Sequence, residues 1–195
     1  MIYDTTNLNP PKILSQIEKE TTTLGFKMAS EPQTGSLLRM LASSKPTGKF
    51  LELGTGTGLS ACWILEGMDR ESTFVTVEND ETVLAVARHH LEADKRISIQ
   101  LSDGEDFIDG LKDQTFDFIF ADTWPGKFYH LDEALALLAP GGFYIIDDLL
   151  PQPAWARDHA PKVPKLIETL EKQTDLFLTK FHWATGIMVA TKRSK

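Results

Sequence analysis

The feature that most constrains this chain is a glycine-rich turn between a short apolar strand and a helix. The strand is predicted over residues 49–53, the helix over 59–68, and Gly54, Gly56 and Gly58 lie between them. Glycine is needed where the backbone turns tightly and approaches a ligand without a Cβ in the way. The helix beyond the turn offers unpaired N–H groups and the positive end of its dipole. Such a turn predicts a nucleotide-like ligand at the carboxyl edge of a parallel sheet.

Strands and helices alternate along most of the chain. Strands are predicted at 49–53, 72–78, 96–101, 115–121 and 142–147, and helices at 59–68, 80–93, 104–112 and 127–139. The fourth and fifth strands are nearly continuous apolar runs, which is typical of strands covered on both faces. The alternation predicts an α/β fold with a doubly wound, mostly parallel sheet and right-handed crossovers.

The two ends of the chain depart from this alternation. Two helices are predicted before the first strand, one after Pro10-Pro11 and one over 37–42. Near the other end, a helix at 165–173 precedes strands at 175–182 and 186–191, which should pair antiparallel because only a short turn joins them. We therefore expect one domain over 1–195, with 1–47 as a helical cap segment and 48–195 as a Rossmann-like core.

Composition excludes several classes of partner. The net charge of −8 over 195 residues disfavours nucleic acid, since phosphate backbones attract basic proteins. No apolar run approaches the ~20 residues that a membrane span needs, so no membrane partner is expected. The single cysteine, Cys62, cannot form an intrachain disulfide, and with no signal peptide evident it favours a cytoplasmic protein.

The spacing of the glycine turn sharpens its interpretation. The dinucleotide fingerprint is G-x-G-x-x-G, whereas residues 52–58 read E-x-G-x-G-x-G. This form resembles motif I of the class I methyltransferases that use S-adenosylmethionine. The resemblance implies a seven-stranded sheet of order 3-2-1-4-5-7-6. Glu78, at the end of the second strand, is placed to accept hydrogen bonds from ribose hydroxyls, but a nicotinamide cofactor would use the same acid.

The same resemblance implies a set of cofactor-binding residues. Glu52 would help to hold the amino-acid end of the cofactor. The segment from Ser102 would hydrogen-bond the adenine amino group, with Asp103 or Glu105 as the acceptor, although Asp103 could equally be a helix N-cap. The expected cofactor-binding residues are Gly35, Glu52, Gly54, Thr55, Gly56, Gly58, Ser60, Glu78, Asn79, Ser102, Asp103, Gly104, Asp122 and Trp124.

Three acids follow the fourth and fifth strands. Asp122 comes directly after one and Asp147-Asp148 after the other, so their carboxylates should converge at one edge of the sheet. Clustered oxygen ligands without histidine or cysteine suit Mg²⁺ or another hard divalent cation. The alternative is a metal-free cluster satisfied by backbone N–H groups or by a lysine.

These acids extend the resemblance to the catechol and caffeoyl-coenzyme A type O-methyltransferases, over about residues 34–191. Asp122, Asp147 and Asp148 match that family's metal ligands, and Ser60 and Trp124 match cofactor contacts. The family's catalytic lysine is replaced by Pro125, so Lys127 could serve only if the Pro125-Gly126 turn redirects it. The catalytic residues implied are Asp122 and Lys127.

The histidines add little by their pattern alone. His130 and His159 have no visible partner in the sequence, which favours a structural role over that of a general base. His89 and His90 are consecutive on a predicted helix and should face different ways, which argues against a shared ligand role. The segment 149–164, which contains Trp155, is predicted to face the substrate.

The function predicted is S-adenosylmethionine-dependent O-methylation of a small-molecule hydroxyl, with S-adenosylmethionine and a divalent ion such as Mg²⁺ as the cofactors. The alternatives are a NAD-dependent oxidoreductase and a non-catalytic cofactor-binding protein. A nitrogen acceptor also stays open, although the motif of enzymes that methylate exocyclic amines is absent at 122–125. A homodimer is a further partner that the sequence leaves open.

Overall fold

One mixed sheet of seven strands organises the part of the chain that the computed structural model describes, residues 3–153 and 155–194. Its order is β3-β2-β1-β4-β5-β7-β6, the order that the resemblance implies, so the predicted fold is confirmed. The strands are β1 Lys49–Leu53, β2 Thr73–Glu78, β3 Ile97–Leu101, β4 Phe116–Ala121, β5 Leu138–Ile146, β6 Leu176–Phe181 and β7 Ile187–Lys192. The helices are α1 Leu14–Leu24, α2 Pro32–Ser43, α3 Leu59–Gly67, α4 Glu81–Leu91, α5 Gly104–Gly110, α6 Leu131–Ala136 and α7 Val163–Glu171, with a 3₁₀ turn at Ala160–Lys162.

The pairing of the strands brings the polar strand ends together. β1 pairs in parallel with β2 and β4, β4 pairs in parallel with β5, and the β6–β7 hairpin joins β5 antiparallel. Leu53 is in register with Ala121, which is in turn in register with Ile146. The residues that follow these three positions therefore emerge side by side at one edge.

The core is divided by the sheet into two apolar layers. On one face, Phe50, Phe118 and Ile145 pack with α1, α2 and α3. On the other, Leu51, Ile119 and Tyr144 pack with residues of α5, α6 and α7. Because successive strand residues point to opposite faces, β1, β4 and β5 are apolar on both sides, as their sequences predict.

The predicted helix over 127–139 is wrong at both ends, because α6 covers only Leu131–Ala136 and β5 already begins at Leu138. A tight turn takes up residues 124–129, where the Gly126 N–H donates to the Tyr129 carbonyl at 2.9 Å. Gly126 and His130 both have positive φ, +83° and +52°, which a helix does not accommodate. Within the two described ranges, no helix is long and apolar enough to cross a membrane.

Candidate active site

A cavity of about 760 Å³ opens at the carboxyl edge of the sheet. Its walls come from the glycine turn, the ends of β2, β4 and β5, the segment between α1 and α2, and the segment after β5. Of the predicted cofactor-binding residues, those that line it are Gly54, Thr55, Gly56, Ser60, Glu78, Asn79, Asp122 and Trp124. All of the predicted catalytic and metal-binding residues also line it, namely Asp122, Lys127, Asp147 and Asp148.

The glycine turn has the backbone conformation that its residues predict. Gly54, Gly56 and Gly58 have φ values of +98°, +53° and +92°. A Cβ on Gly54 would lie 3.0 Å from the Asp122 carbonyl oxygen, so only glycine lets β1 and β4 end this close together. Gly58 has a packing role, because a Cβ there would lie 2.9 Å from a methyl group of Leu91 on α4.

Glu78 is held in place by backbone groups at the end of β2. Its Oε2 accepts the Gly56 N–H at 3.0 Å, and its Oε1 accepts the N–H groups of Asn79 at 2.9 Å and Asp80 at 3.2 Å. A carboxylate has about four acceptor sites, so this arrangement orients the group and leaves capacity for hydroxyl donors in the cavity.

Glu52 lies beneath the cavity wall and is fully buried. It accepts hydrogen bonds at 2.6 Å from the hydroxyl groups of Ser60 and Thr76. Burial raises the pKa of Glu52 to about 7, although these two hydrogen bonds act to lower it. Glu52 therefore reaches a ligand only through Ser60, which does line the cavity.

The N-terminal segment forms one wall of the cavity, but not with the residue predicted. Gly35 lies inside α2, where a Cβ would clash with the Trp63 indole, and it does not line the cavity. Residues 26–31, between α1 and α2, line it instead. The Ser30 hydroxyl donates to Asp122 Oδ2 at 3.0 Å, and the Thr21 hydroxyl donates to Thr57 in the glycine turn at 2.8 Å. No sequence motif marks this segment, since its role depends on where α1 packs.

The structure also places Ser102, Asp103 and Gly104 outside the cavity wall. Asp103 caps α5 by accepting the Glu105 N–H at 2.8 Å, which is the alternative role considered from the sequence. A Cβ on Gly104 would lie 2.8 Å from the Pro125 ring, so this glycine permits close packing of α5 on the turn after β4.

The acidic corner, which we define as Asp122, Lys127, Asp147 and Asp148, forms the opposite end of the cavity. The Lys127 side chain is only 1% exposed, and its Nζ lies 3.8 Å from Asp122 Oδ1. The same ammonium donates to the Asp147 carbonyl oxygen at 3.2 Å. Asp147 Oδ1 accepts the Thr185 hydroxyl and, at 2.8 Å, the Asp148 N–H.

The turn after β4 aims Lys127 into this corner. The Lys127 N–H donates to the Trp124 carbonyl at 3.0 Å, and the positive φ of Gly126 reverses the chain between them. A Cβ on Gly126 would clash with Leu53 and lie 3.0 Å from the Tyr144 hydroxyl. The Pro125-Gly126 turn thus provides the redirection on which the predicted role of Lys127 depends.

Burial dominates the electrostatics of the corner. It raises the pKa of Asp122 well above its usual value, against the lowering effect of the Lys127 charge. Burial likewise raises the pKa of Asp147 to about 6, while the hydrogen bond from Thr185 lowers it. Both carboxyl groups are therefore stronger bases than an ordinary aspartate.

The three carboxylates of the predicted metal site are partly engaged by groups of the chain itself. Among the described residues, Asp122, Asp147 and Asp148 do not bring one oxygen each within 4.8 Å of the others. One oxygen of Asp147 is already engaged by Thr185 and by the Asp148 backbone. The Lys127 ammonium supplies a positive charge beside Asp122. This arrangement corresponds to the alternative in which a lysine satisfies the acids.

The segment after β5 closes the cavity on its outer side through Gln152, Pro153, Trp155, Ala156 and His159, and its contact with the substrate stays a prediction. Ala154, within the predicted segment, lies outside the described residues. The Trp155 indole stacks on the His159 imidazole with ring centroids 4.1 Å apart. His159 Nε2 lies 3.2 Å from the Asp148 carbonyl oxygen, which can only accept, so Nε2 carries the proton in this contact. Burial lowers the pKa of His159.

His130 lies away from this cavity, with its Nδ1 3.4 Å from Glu105 Oε2. It does not line the cavity, and its contacts with acids of α5 agree with the structural role expected from the sequence.

Known proteins with similar sequences point to one family. The sequence model of the family described as O-methyltransferase matches residues 4–178. A relative from Mycolicibacterium vanbaalenii is 27% identical over 123 residues, which are 60% of this chain and 54% of the relative. A relative from Mycobacterium leprae strain TN is 24% identical over 145 residues, 72% of this chain and 64% of the relative. Both are described as candidate O-methyltransferases, and the chain spans between about half and two thirds of their length.

Solved structures agree in fold. The O-methyltransferase TomG of Streptomyces achromogenes, determined in complex with S-adenosylmethionine and involved in tomaymycin synthesis, has a TM-score of 0.84 at 20% identity, over 98% of this chain and 94% of TomG. An O-methyltransferase from Bacillus cereus, determined in complex with S-adenosylhomocysteine, has a TM-score of 0.84 at 20% identity, over 96% of this chain and 94% of that protein. At these identities the similarity establishes a shared fold.

Proposed function

This chain belongs to the O-methyltransferase family, and from that premise we propose that it transfers a methyl group from S-adenosylmethionine to a hydroxyl group of a small molecule. The observation that carries the proposal is the cavity with two different ends. One end has a glycine turn and an oriented acid, and the other has a buried lysine among carboxyl groups. TomG and the Bacillus cereus enzyme were determined with the methyl donor and its demethylated product, respectively.

The glycine-turn end is suited to the donor. The backbone at Gly54–Gly56 can approach the ligand closely, and Glu78 can accept hydrogen bonds from two ribose hydroxyls. Ser60, held by the buried Glu52, faces the position expected for the amino-acid end. Trp124 offers an aromatic wall to the adenine, while adenine contacts from Ser102, Asp103 and Gly104 stay predictions.

The acidic corner is suited to the acceptor. In the transfer, the hydroxyl oxygen forms a bond to the methyl carbon as the carbon–sulfur bond breaks, and the sulfonium becomes a neutral thioether. Orientation supplies most of the acceleration in such a displacement. We assign Lys127 to stabilise the negative charge that develops on the acceptor oxygen. Asp122, whose pKa burial raises, is the base that takes the hydroxyl proton.

The divalent ion expected from the sequence stays a prediction. If one binds, Asp122, Asp147 and Asp148 would hold it and it would polarise the acceptor oxygen. Chelation by EDTA should leave turnover unchanged if Lys127 supplies the positive charge, and should abolish it if an ion does.

Contacts across the predicted segment boundary support treating residues 1–47 and 48–195 as parts of one domain. Thr21 and Ser30 bond to Thr57 and Asp122, respectively, on the core side. A small-molecule acceptor without nucleic acid or membrane as partner is part of the proposal, whereas a cytoplasmic location and a homodimer stay predictions.

Binding and turnover test the proposal separately. S-adenosylhomocysteine should raise the melting temperature and bind with measurable heat, whereas NAD should do neither. Stabilisation by NAD but not by S-adenosylhomocysteine would favour a NAD-dependent oxidoreductase. Membership of the O-methyltransferase family argues against that alternative. Donor with an isotopically labelled methyl group, offered with catechols, simple phenols and amines, should label an oxygen acceptor. Binding without turnover on any acceptor would favour a cofactor-binding protein.

A further inference from the structure

A second group of ionisable side chains lies on the outer side of the fold, where α1 packs against α4. Glu20 on α1 approaches His89 and His90 at the end of α4. His89 Nδ1 lies 3.3 Å and His90 Nε2 lies 3.0 Å from Glu20 Oε1. In residues 3–153 and 155–194, it is the one set of three histidine, cysteine or acidic side chains whose ligand atoms all lie within 4.8 Å of one another.

His90 is the informative member of this group. Its side chain is only 6% exposed, yet its Nε2 is buried without a hydrogen-bond partner, because the contact with Glu20 is not aligned as one. A buried polar atom left without a partner is destabilising. The nitrogen thus lies 3.0 Å from a carboxylate oxygen with no aligned hydrogen bond, a separation that two ligands of one metal ion could also have.

The orientation of His89 supports the same conclusion. Consecutive residues on a helix point about 100° apart, and the sequence predicts that these two face different ways. That prediction is wrong, because their rings stack with centroids 4.5 Å apart and both nitrogens approach one carboxylate. Two rings turned to one point form a convergent donor set.

We propose that Glu20 Oε1, His89 Nδ1 and His90 Nε2 bind a divalent transition-metal ion of the Zn²⁺ type. Two imidazoles and one carboxylate are a known zinc donor set with a fourth position left for water. Bonds of about 2.0–2.1 Å in a tetrahedron place ligand atoms about 3.3–3.4 Å apart, close to the 3.0 Å and 3.3 Å distances here. The imidazole nitrogens disfavour Mg²⁺ and Ca²⁺, which prefer oxygen ligands.

The ion would join two elements that carry walls of the cavity. Gly25 ends α1 and leads directly into wall residues 26–31, and Thr21, next to Glu20, bonds to the glycine turn. On the other side, α4 supplies Val83 to the wall. A metal ion bound between α1 and α4 would therefore restrain α1 and the cavity wall at residues 26–31. The rigidity of the donor-binding end would then depend on whether the metal is bound. Metal binding by these three residues does not require that the proposed methyl transfer takes place.

Cobalt substitution tests the site directly, with full-length protein that carries no polyhistidine tag. We expect the protein to bind one Co²⁺ per chain and to show the visible absorption of a tetrahedral cobalt centre. One equivalent of Zn²⁺ should displace the Co²⁺ and remove this absorption. His89→Ala, His90→Ala and Glu20→Gln should each weaken binding at least about tenfold, since even an outer-shell partner contributes 10–100-fold. Zn²⁺ should raise the melting temperature of the wild type but not of these variants.

Two control variants locate the ion. His182→Ala removes an exposed histidine elsewhere, and Asp147→Asn alters the acidic corner. Both control variants should keep the cobalt spectrum and should bind Co²⁺ as tightly as the wild type does, at least about tenfold more tightly than the variants of Glu20, His89 and His90. The proposal is overturned if the wild type binds no more Co²⁺ than His89→Ala, or if Asp147→Asn alone removes the spectrum. Because His89 is 68% exposed, its variant should fold even if His90→Ala does not.

Discussion

The two ends of the cavity hold their acids in different ways. At the glycine-turn end, Glu78 is held by backbone N–H groups of the turn and of its own strand end, and Glu52 by two hydroxyls. At the acidic corner, two further partners come from distant segments. Ser30 reaches Asp122 across 92 positions, and Thr185 reaches Asp147 across 38.

The difference shows that one end of the site is formed by a local sequence motif, whereas the other depends on tertiary packing. A donor end built from two consecutive strands can be formed by a short motif, because its partners are set by the backbone of a parallel sheet. The acidic corner depends on four separate segments, so modest changes in packing alter its charge and shape. We therefore expect the selectivity for the acceptor to be determined at the corner.

The largest expected effect comes from removing the cation at the corner. Lys127→Met should lower turnover by at least about 100-fold, the usual scale for a group that stabilises or moves charge in the transition state. Affinity for S-adenosylhomocysteine, measured by calorimetry, should not change. Lys172→Met, at an exposed i,i+4 pair, is the matched control and should leave turnover intact. Loss of donor affinity in Lys127→Met would mean that the two ends do not act separately.

The next effect concerns Glu52 and the dependence of stability on pH. Its pKa rises from an ordinary 4.5 to about 7 in the folded protein. Between these values the unfolded chain loses the proton while the folded one keeps it, so stability is greatest below the lower value and falls as pH rises. The loss should reach roughly 3 kcal/mol by the upper value. Urea unfolding of Glu52→Gln should show a correspondingly flatter profile between pH 4.5 and 7.

Asp147→Asn tests the pH dependence of stability at the other end of the cavity, for comparison with Glu52→Gln. The pKa of Asp147 rises from 3.8 to about 6, so this variant should flatten the profile between pH 3.8 and 6 and leave the fall between pH 6 and 7 in place. If the two variants flatten the same range, the assignment of separate carboxyl groups to the two ends is wrong.

A smaller effect is expected from Glu78 on donor affinity. Glu78→Gln replaces hydrogen bonds to a charged acceptor, worth about 1.5–3 kcal/mol, with weaker ones to an amide. Binding of S-adenosylhomocysteine should weaken by roughly 10- to 100-fold. Glu81→Gln, exposed on the first turn of α4, should bind as the wild type does. Equal affinities in the two variants would show that Glu78 does not bind the ribose hydroxyls of the donor.

The smallest expected effect separates a cap from a ligand contact at Asp103. Asp103→Ala should cost about 1 kcal/mol of unfolding free energy through loss of the α5 cap, whereas Asp103→Asn should retain it. A fall in donor affinity in both variants would support the adenine contact predicted from the sequence. Stability lost without any change in affinity would leave Asp103 as a cap alone.

Short sequence motifs predicted the structure correctly where the contacts involved lie close together in the chain. The turn at Gly54–Gly58 and the acids at the ends of β1 and β2 lie where the sequence places them, because strand ends in a parallel sheet meet at one edge. The sequence failed where a short turn replaced a helix, at 124–129. Helical periodicity there carries no information about the positive φ of Gly126 and His130.

By itself, the sequence determined the strands of the sheet, the glycine turn and the convergence of Asp122 with Asp147, since strand periodicity and glycine spacing act over a few residues; the order of the strands followed only from the family resemblance. Only the tertiary structure decided that Lys127 lies among the acids, that residues 26–31 form a cavity wall, and that Glu20 meets both His89 and His90. These distances depend on the packing of segments that are far apart in the chain, and no local pattern of residues specifies them.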